Sequence, residues 1–284
     1  MIPGTRGFRF IAFLFALSLV SSLAFSQSYI NEEQDSLSPK LYMSMGYYFP
    51  KMTTRVRFDS DFGLGTEINF EDDLKLDQNL NVFRIDGLLL LSKRSQMNLT
   101  FTRMARSNSL TLEKDIEFND TIFYAGASAN IKFDVNYFGA TWRYSFFSER
   151  NWNAGLSFGL RAVRFNMGMS ASLNNRSYAE SEKFIAPAIL LGVHGAGYMR
   201  PRLLARYSLE YFYVDVSDIK INVLETNVSL QYFIFKQVGL GVAYSSNTYQ
   251  IRNLPLSDKF TGRVIFGFGG FNLFLTARLA QGRK

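Results

Sequence analysis

The feature that most constrains this chain is a period of two. In "FGATWRYSFFSERNWNAGLSFGLR" (138–161), Phe138, Ala140, Trp142, Tyr144 and Phe146 occupy every second position, with Gly139, Thr141, Arg143 and Ser145 between them. After Ser148, Glu149, Arg150 and Asn151 the pattern restarts: Trp152, Ala154, Leu156, Phe158 and Leu160 stand against Asn153, Gly155, Ser157, Gly159 and Arg161. A helix repeats its apolar residues every three or four positions, whereas a strand repeats them every two. Two such runs joined by four polar residues read as a β-hairpin.

The same period predicts ten strands, at 41–58, 80–92, 96–110, 129–147, 152–170, 184–199, 202–216, 219–234, 238–252 and 261–279, with eight or twelve as alternatives. Connections of two kinds alternate along them. Short ones fall at Lys93-Arg94-Ser95, at 148–151, at Arg200-Pro201 and at Phe235-Lys236-Gln237. The others, 59–79, 111–128, 171–183 and 253–260, are longer and more acidic, with Val216-Ser217-Asp218 the brief exception. Short turns at one end and long loops at the other describe a transmembrane antiparallel up-and-down β-barrel of the bacterial outer membrane. An even strand number places both termini in the periplasm.

The N-terminus agrees. Arg6 and Arg9 precede the apolar run "FIAFLFALSLVSSLAF" (10–25) and small residues at Ala24-Phe25-Ser26, the layout of a cleaved signal peptide over 1–26. Residues 27–39 read as a polar periplasmic lead-in, and 40–284 as one barrel domain. The chain has no cysteine, which removes disulfides and a lipid-modified cysteine alike. Its formal charge of +7, two units of it from Arg6 and Arg9, shows no basic stripe interleaved with aromatics, so nucleic acid is not an expected partner.

Alternation alone does not say which face is apolar. A soluble barrel turns its apolar face inward, and a membrane barrel turns it outward. One set of positions mixes glycine with charge: Gly155, Ser157, Gly159 and Arg161; Arg206, Ser208 and Glu210; Glu225, Asn227 and Ser229. The other set, such as Leu203, Ala205, Tyr207, Leu209 and Tyr211, is free of charge for about nine residues per strand, enough for a tilted crossing of the bilayer. The first set suits a narrow lumen and the second a lipid-facing wall. Tyr144, Trp152, Tyr198 and Tyr232 fall near strand ends, where aromatic girdles belong.

Phe268, Gly270, Leu273 and Leu275, in "FGGFNLFL", resemble the terminal signal by which the barrel-assembly machinery recognises outer-membrane proteins. Such chains end on an aromatic residue, whereas here "AQGRK" follows Leu279. Through "GLGTEINFEDDLKL" (63–76), "FYAGASANIKFDVNYFGATWRYSF" (123–146), "VGLGVAY" (238–244) and "GFNLFLTARL" (270–279), the chain resembles small outer-membrane β-barrel proteins of proteobacteria, OmpA-like and OmpW-like. That resemblance implies a location and a fold, and carries no activity with it.

The candidate site is the set of inward charges: Arg84, Asp86, Arg143, Arg161, Arg206, Glu210, Glu225 and Arg278, with the single histidine, His194. Buried charges in a narrow lumen must pair or stay wet. They form either a rigidifying plug of ion pairs or the lining of a small pore with slight anion preference. His194, placed by the hairpin at Arg200-Pro201 across from Arg206, lies too far from the loops to serve the Ser–His chemistry of outer-leaflet lipid-modifying barrels. Asp59, Asp61, Glu71, Asp72 and Asp73 form an acidic loop that could share divalent cations with lipopolysaccharide. Their spacing fits no calcium loop, and no metal or cofactor is expected. The leading expectation is a non-enzymatic barrel with a structural or surface-interaction role, followed by a narrow channel and then by a lipid A or phospholipid-modifying enzyme. Expected partners are outer-membrane lipid, lipopolysaccharide and, during biogenesis, the assembly machinery.

Overall fold

The computed structural model describes residues 41–60, 67–113, 115–118, 121–173, 176–216, 219–257 and 260–279. The signal peptide, the lead-in and Asp61 lie outside these residues, as does the side chain of Asp59. The strands are β1 (Leu41–Ser60), β2 (Glu67–Asn69), β3 (Val82–Leu90), β4 (Ser95–Thr111), β5 (Ile116–Phe118), β6 (Thr121–Phe123), β7 (Ser128–Ser148), β8 (Trp152–Leu173), β9 (Arg176–Arg200), β10 (Leu203–Val216), β11 (Ile219–Phe233), β12 (Val238–Ser257) and β13 (Phe260–Leu279).

Ten of them form one antiparallel barrel in the order β13-β12-β11-β10-β9-β8-β7-β4-β3-β1. It closes where β1 meets β13, from Leu41↔Leu279 to Ser60↔Phe260. Closure leaves no sheet edge along that seam. Both described ends of the chain therefore sit at the end that carries the short turns.

Two stretches expected as loops are strand instead. β8 and β9 continue to Leu173↔Arg176, and β12 and β13 to Ser257↔Phe260. "SYAESEKF" looks like loop because polar residues stand in both phases, Ser181 and Lys183 outward and Glu180 and Glu182 in register with the inward Met169 and Met167. Polar outward positions are what a wall standing in water requires.

That observation holds around the barrel. In the turn-end half the outward residues are apolar and exposed: Met43, Met45, Tyr47 and Phe49 on β1, Leu156, Phe158 and Leu160 on β8, Phe271, Leu273 and Leu275 on β13. So continuous an apolar surface suits the hydrocarbon core of a bilayer and not water. In the loop-end half the same faces exchange character. On β7 the outward residues become Asn136, Asp134, Lys132 and Asn130, while Tyr137, Val135, Phe133, Ile131 and Ala129 are buried within. On β8 the inward series runs Ser157, Gly159, Arg161 and then Val163, Phe165, Met167, Met169. The pleat never slips. Only the chemistry of its two faces swaps, between Tyr137 and Phe138 on β7 and near Val163 on β8.

The expectation of a polar lumen beneath an apolar wall is therefore correct for the turn-end half and reversed for the loop-end half. There the barrel is built like a soluble protein, with an apolar core inside and water outside. Tyr48, Met52, Met104, Ile131, Val135, Val163, Leu190, Val223, Tyr249 and Phe266 belong to one buried cluster. Phe165 packs edge-on against Phe266 with ring centroids 5.1 Å apart.

The loops add to this core. β3 begins at Val82, so beyond it the wall between β1 and β4 is completed by 67–80, which turns inward and buries Ile68, Phe70, Leu74 and Leu76. The segment between β4 and β7 contributes Ile116 and Phe123 through the hairpin β5–β6.

Candidate functional site

Below the apolar core, the lumen holds a polar cavity of about 110 Å³ lined by Arg84, Asp86, Arg143, Arg161, Arg206, Glu210 and Glu225, among other residues. Its centre is a paradox of register. Glu210 on β10 pairs directly with Glu225 on β11, which sets two inward carboxylates side by side. Like charges directly opposite on a sheet repel.

Arg161, reaching in from β8, resolves the repulsion. Its Nη2 bonds Glu210 and lies 2.8 Å from Glu225 Oε2, to which Nε also donates at 2.9 Å. Nη1 donates to Thr141 Oγ1 (3.0 Å) and to the carbonyls of Leu160 (3.1 Å) and Ala140 (3.3 Å). Glu225 also accepts from the hydroxyls of Tyr137 and Tyr249. Room for the guanidinium comes from glycine: a Cβ on Gly159 would stand 2.7 Å from Nη1, and one on Gly139, paired opposite Arg161, 3.3 Å from its Cδ.

A second unit lies beside it. Arg84 grips Asp86, two residues along the same face of β3, in a bidentate pair at 2.9 and 3.0 Å. Thr100 Oγ1 donates to Asp86 at 2.7 Å, and Arg84 Nη1 donates to Ser245 Oγ at 3.2 Å. Towards the turns the charges thin out. Arg206 lies over the Tyr42 ring at 4.7 Å. Arg278 stands apart, stacked 3.2 Å over Phe233 and donating to Tyr198 Oη at 2.8 Å. Tyr198, expected in an outer aromatic girdle, faces inward here. Tyr42, Leu88, Leu204 and Phe233 form a small apolar cluster at this end.

His194 is buried, with Nε2 3.2 Å from Ser145 Oγ, while its Nδ1 has no partner. A Ser–His contact thus exists, but Ser145 is fully buried and the unpartnered Nδ1 shows that no carboxylate orients the ring. The expected partner Arg206 pairs with Ala196 instead, and His194 with Ser208. The turn lies one residue later than expected, at Pro201-Arg202 with Arg200 opposite Leu203, and a one-residue register shift at Leu203/Leu204 only partly offsets this.

The acidic loop also differs from its expected role. Glu71 is buried, ion-paired at 2.5 Å with Arg106, and its other oxygen accepts from the Thr54 amide at 2.8 Å. Arg106 also donates to Thr54 Oγ1 (2.7 Å) and to the Asp77 carbonyl (3.4 Å), fastening 67–80 to the wall. Asp72 accepts from the Asn69 side chain, and Asp73 from the Asn69 amide at 2.8 Å. These acids hold their own loop. Arg106, Tyr137 and Tyr249 escaped the sequence reading, although each continues an inward series: Thr102, Met104, Arg106 on β4 and Ser245, Asn247, Tyr249 on β12.

No protein-family model and no curated protein matches the chain. Among solved structures, it is similar to the outer membrane protease OmpT of Escherichia coli at 10% identity and a TM-score of 0.51, covering 89% of this chain and 99% of OmpT. The translocator domain of the autotransporter NalP of Neisseria meningitidis matches at 8% identity and a TM-score of 0.44, over 94% of this chain and 96% of that one. The OmpT likeness shows the fold: an outer-membrane type of β-barrel.

Proposed function

We propose that the chain is an integral outer-membrane protein with periplasmic turns and termini, whose lumen does not conduct and whose loop-end half stands outside the cell as a rigid platform for surface interaction. The observation that supports this is the apolar core laid across the lumen. An ion would have to cross a dry cluster of Phe, Met and Val side chains, at a cost of many kcal/mol. The polar cavity lies beneath this core, on its turn-end side.

Reconstituted into planar bilayers, the protein is expected to give no conductance steps; reproducible steps would establish the narrow channel instead. The non-enzymatic reading rests on the burial of Ser145 and on the position of His194 towards the turns. His194→Ala is accordingly expected to leave the lipid A and phospholipid profiles of expressing cells unchanged, and an altered profile would overturn it.

A further inference from the structure

The outer wall changes from apolar to basic over a single step. On β1 the next outward residue after Phe49 is Lys51, with Arg55 beyond Thr53; on β4, Arg103 follows Phe101; on β9, Lys183 follows Ile185. Lys132 on β7 and Arg164 on β8 stand at the same half of the wall. All six are exposed, and only Arg103 has a carboxylate partner among the described residues, Asp134 at 3.0 Å. Farther round, Lys220, ion-paired with Asp215 at 3.0 Å, pairs across the sheet with Arg252. Among the described residues, the outward acids in strands at this level are Glu67, Asp134 and Asp215.

Two residues along a strand span about 7 Å. That is about the depth of the headgroup zone beyond each side of the hydrocarbon core. Lys51, Arg103 and Lys183, rooted one step past the apolar belt, therefore end among headgroups, with Arg164 one step and Arg55 and Lys132 two steps farther out. We infer that this basic girdle binds the phosphate groups of phosphorylated glycolipid in the outer leaflet directly, through Lys and Arg and without a bridging cation. Of the acids that would hold such a cation, Glu71 already pairs with Arg106 of β4, and Asp72 and Asp73 bond Asn69 within their loop. The inference rests on the outer-membrane placement proposed above.

The test uses the full protein folded in detergent, with bisphosphorylated lipid A as probe and phosphatidylethanolamine as control, in EDTA, by native mass spectrometry. Lipid A is expected to bind selectively, and the quadruple variant K51Q/R55Q/R164Q/K183Q to bind it at least about tenfold more weakly. Those side chains lie on the outer wall, so the variant keeps its heat-modifiable gel mobility. Selective binding that disappears in EDTA, or that the folded variant retains in full, overturns the direct contact. A wild-type protein that does not fractionate with outer membranes defeats the placement as well.

Discussion

Arg161→Met is expected to destabilise the barrel by about 3–5 kcal/mol, the cost of removing one partner from a buried ion pair. The register makes this site harsher than most. With Arg161 absent, Glu210 and Glu225 remain directly opposite each other, and no other cation among the described residues bonds either one. The tyrosine hydroxyls on Glu225 satisfy its oxygens but bring no charge. Adding Glu225→Gln to Arg161→Met removes the facing pair, so the double variant should recover part of the loss. A double variant no more stable than Arg161→Met would mean that Arg161 acts by packing alone. Urea unfolding followed by heat-modifiable mobility reads both.

Much of this arrangement is legible in the sequence. The period of two gives the strands, and glycine mixed with charge marks the turn-end lumen at Gly155, Ser157, Gly159 and Arg161. The inward direction of Arg84 and Asp86 follows from their spacing of two. What the sequence hides is non-local. That Glu210 faces Glu225 depends on where β10 turns into β11, and that Arg161 reaches both depends on barrel curvature across three strands. His194 faces Ser208 rather than Arg206 because the turn falls at Pro201-Arg202, and composition does not separate that turn from one at Arg200-Pro201.

The reversal between the two halves is different, since its mark is present in the sequence. On β7 the apolar series runs Ile131, Phe133, Val135, Tyr137 and then, one position out of phase, Phe138, Ala140, Trp142. Adjacent Tyr137 and Phe138 are the point where the surroundings of the wall change from water to lipid. Read as one uniform strand, the first half looks like lipid-facing wall in the wrong phase. Read as two environments, both halves agree with a single pleat.

This two-environment structure predicts the second large effect. Phe266 is fully buried, packed against Phe165, Tyr249 and Phe268, so Phe266→Ala should cost about 3–5 kcal/mol through the cavity it leaves. A water-filled lumen at that height would charge almost nothing for the same change. The outer wall gives the matching contrast on one face of β12. Val242→Arg places a guanidinium in the apolar belt and is expected to cost about 2–4 kcal/mol. Thr248→Arg, six residues nearer the loops and equally outward, should fall within about 0.5 kcal/mol of wild type. Measured in one lipid under one unfolding protocol, equal costs at Val242 and Thr248 would show that the wall meets a single environment along its length, and a neutral Phe266→Ala would show that the loop-end lumen is wet.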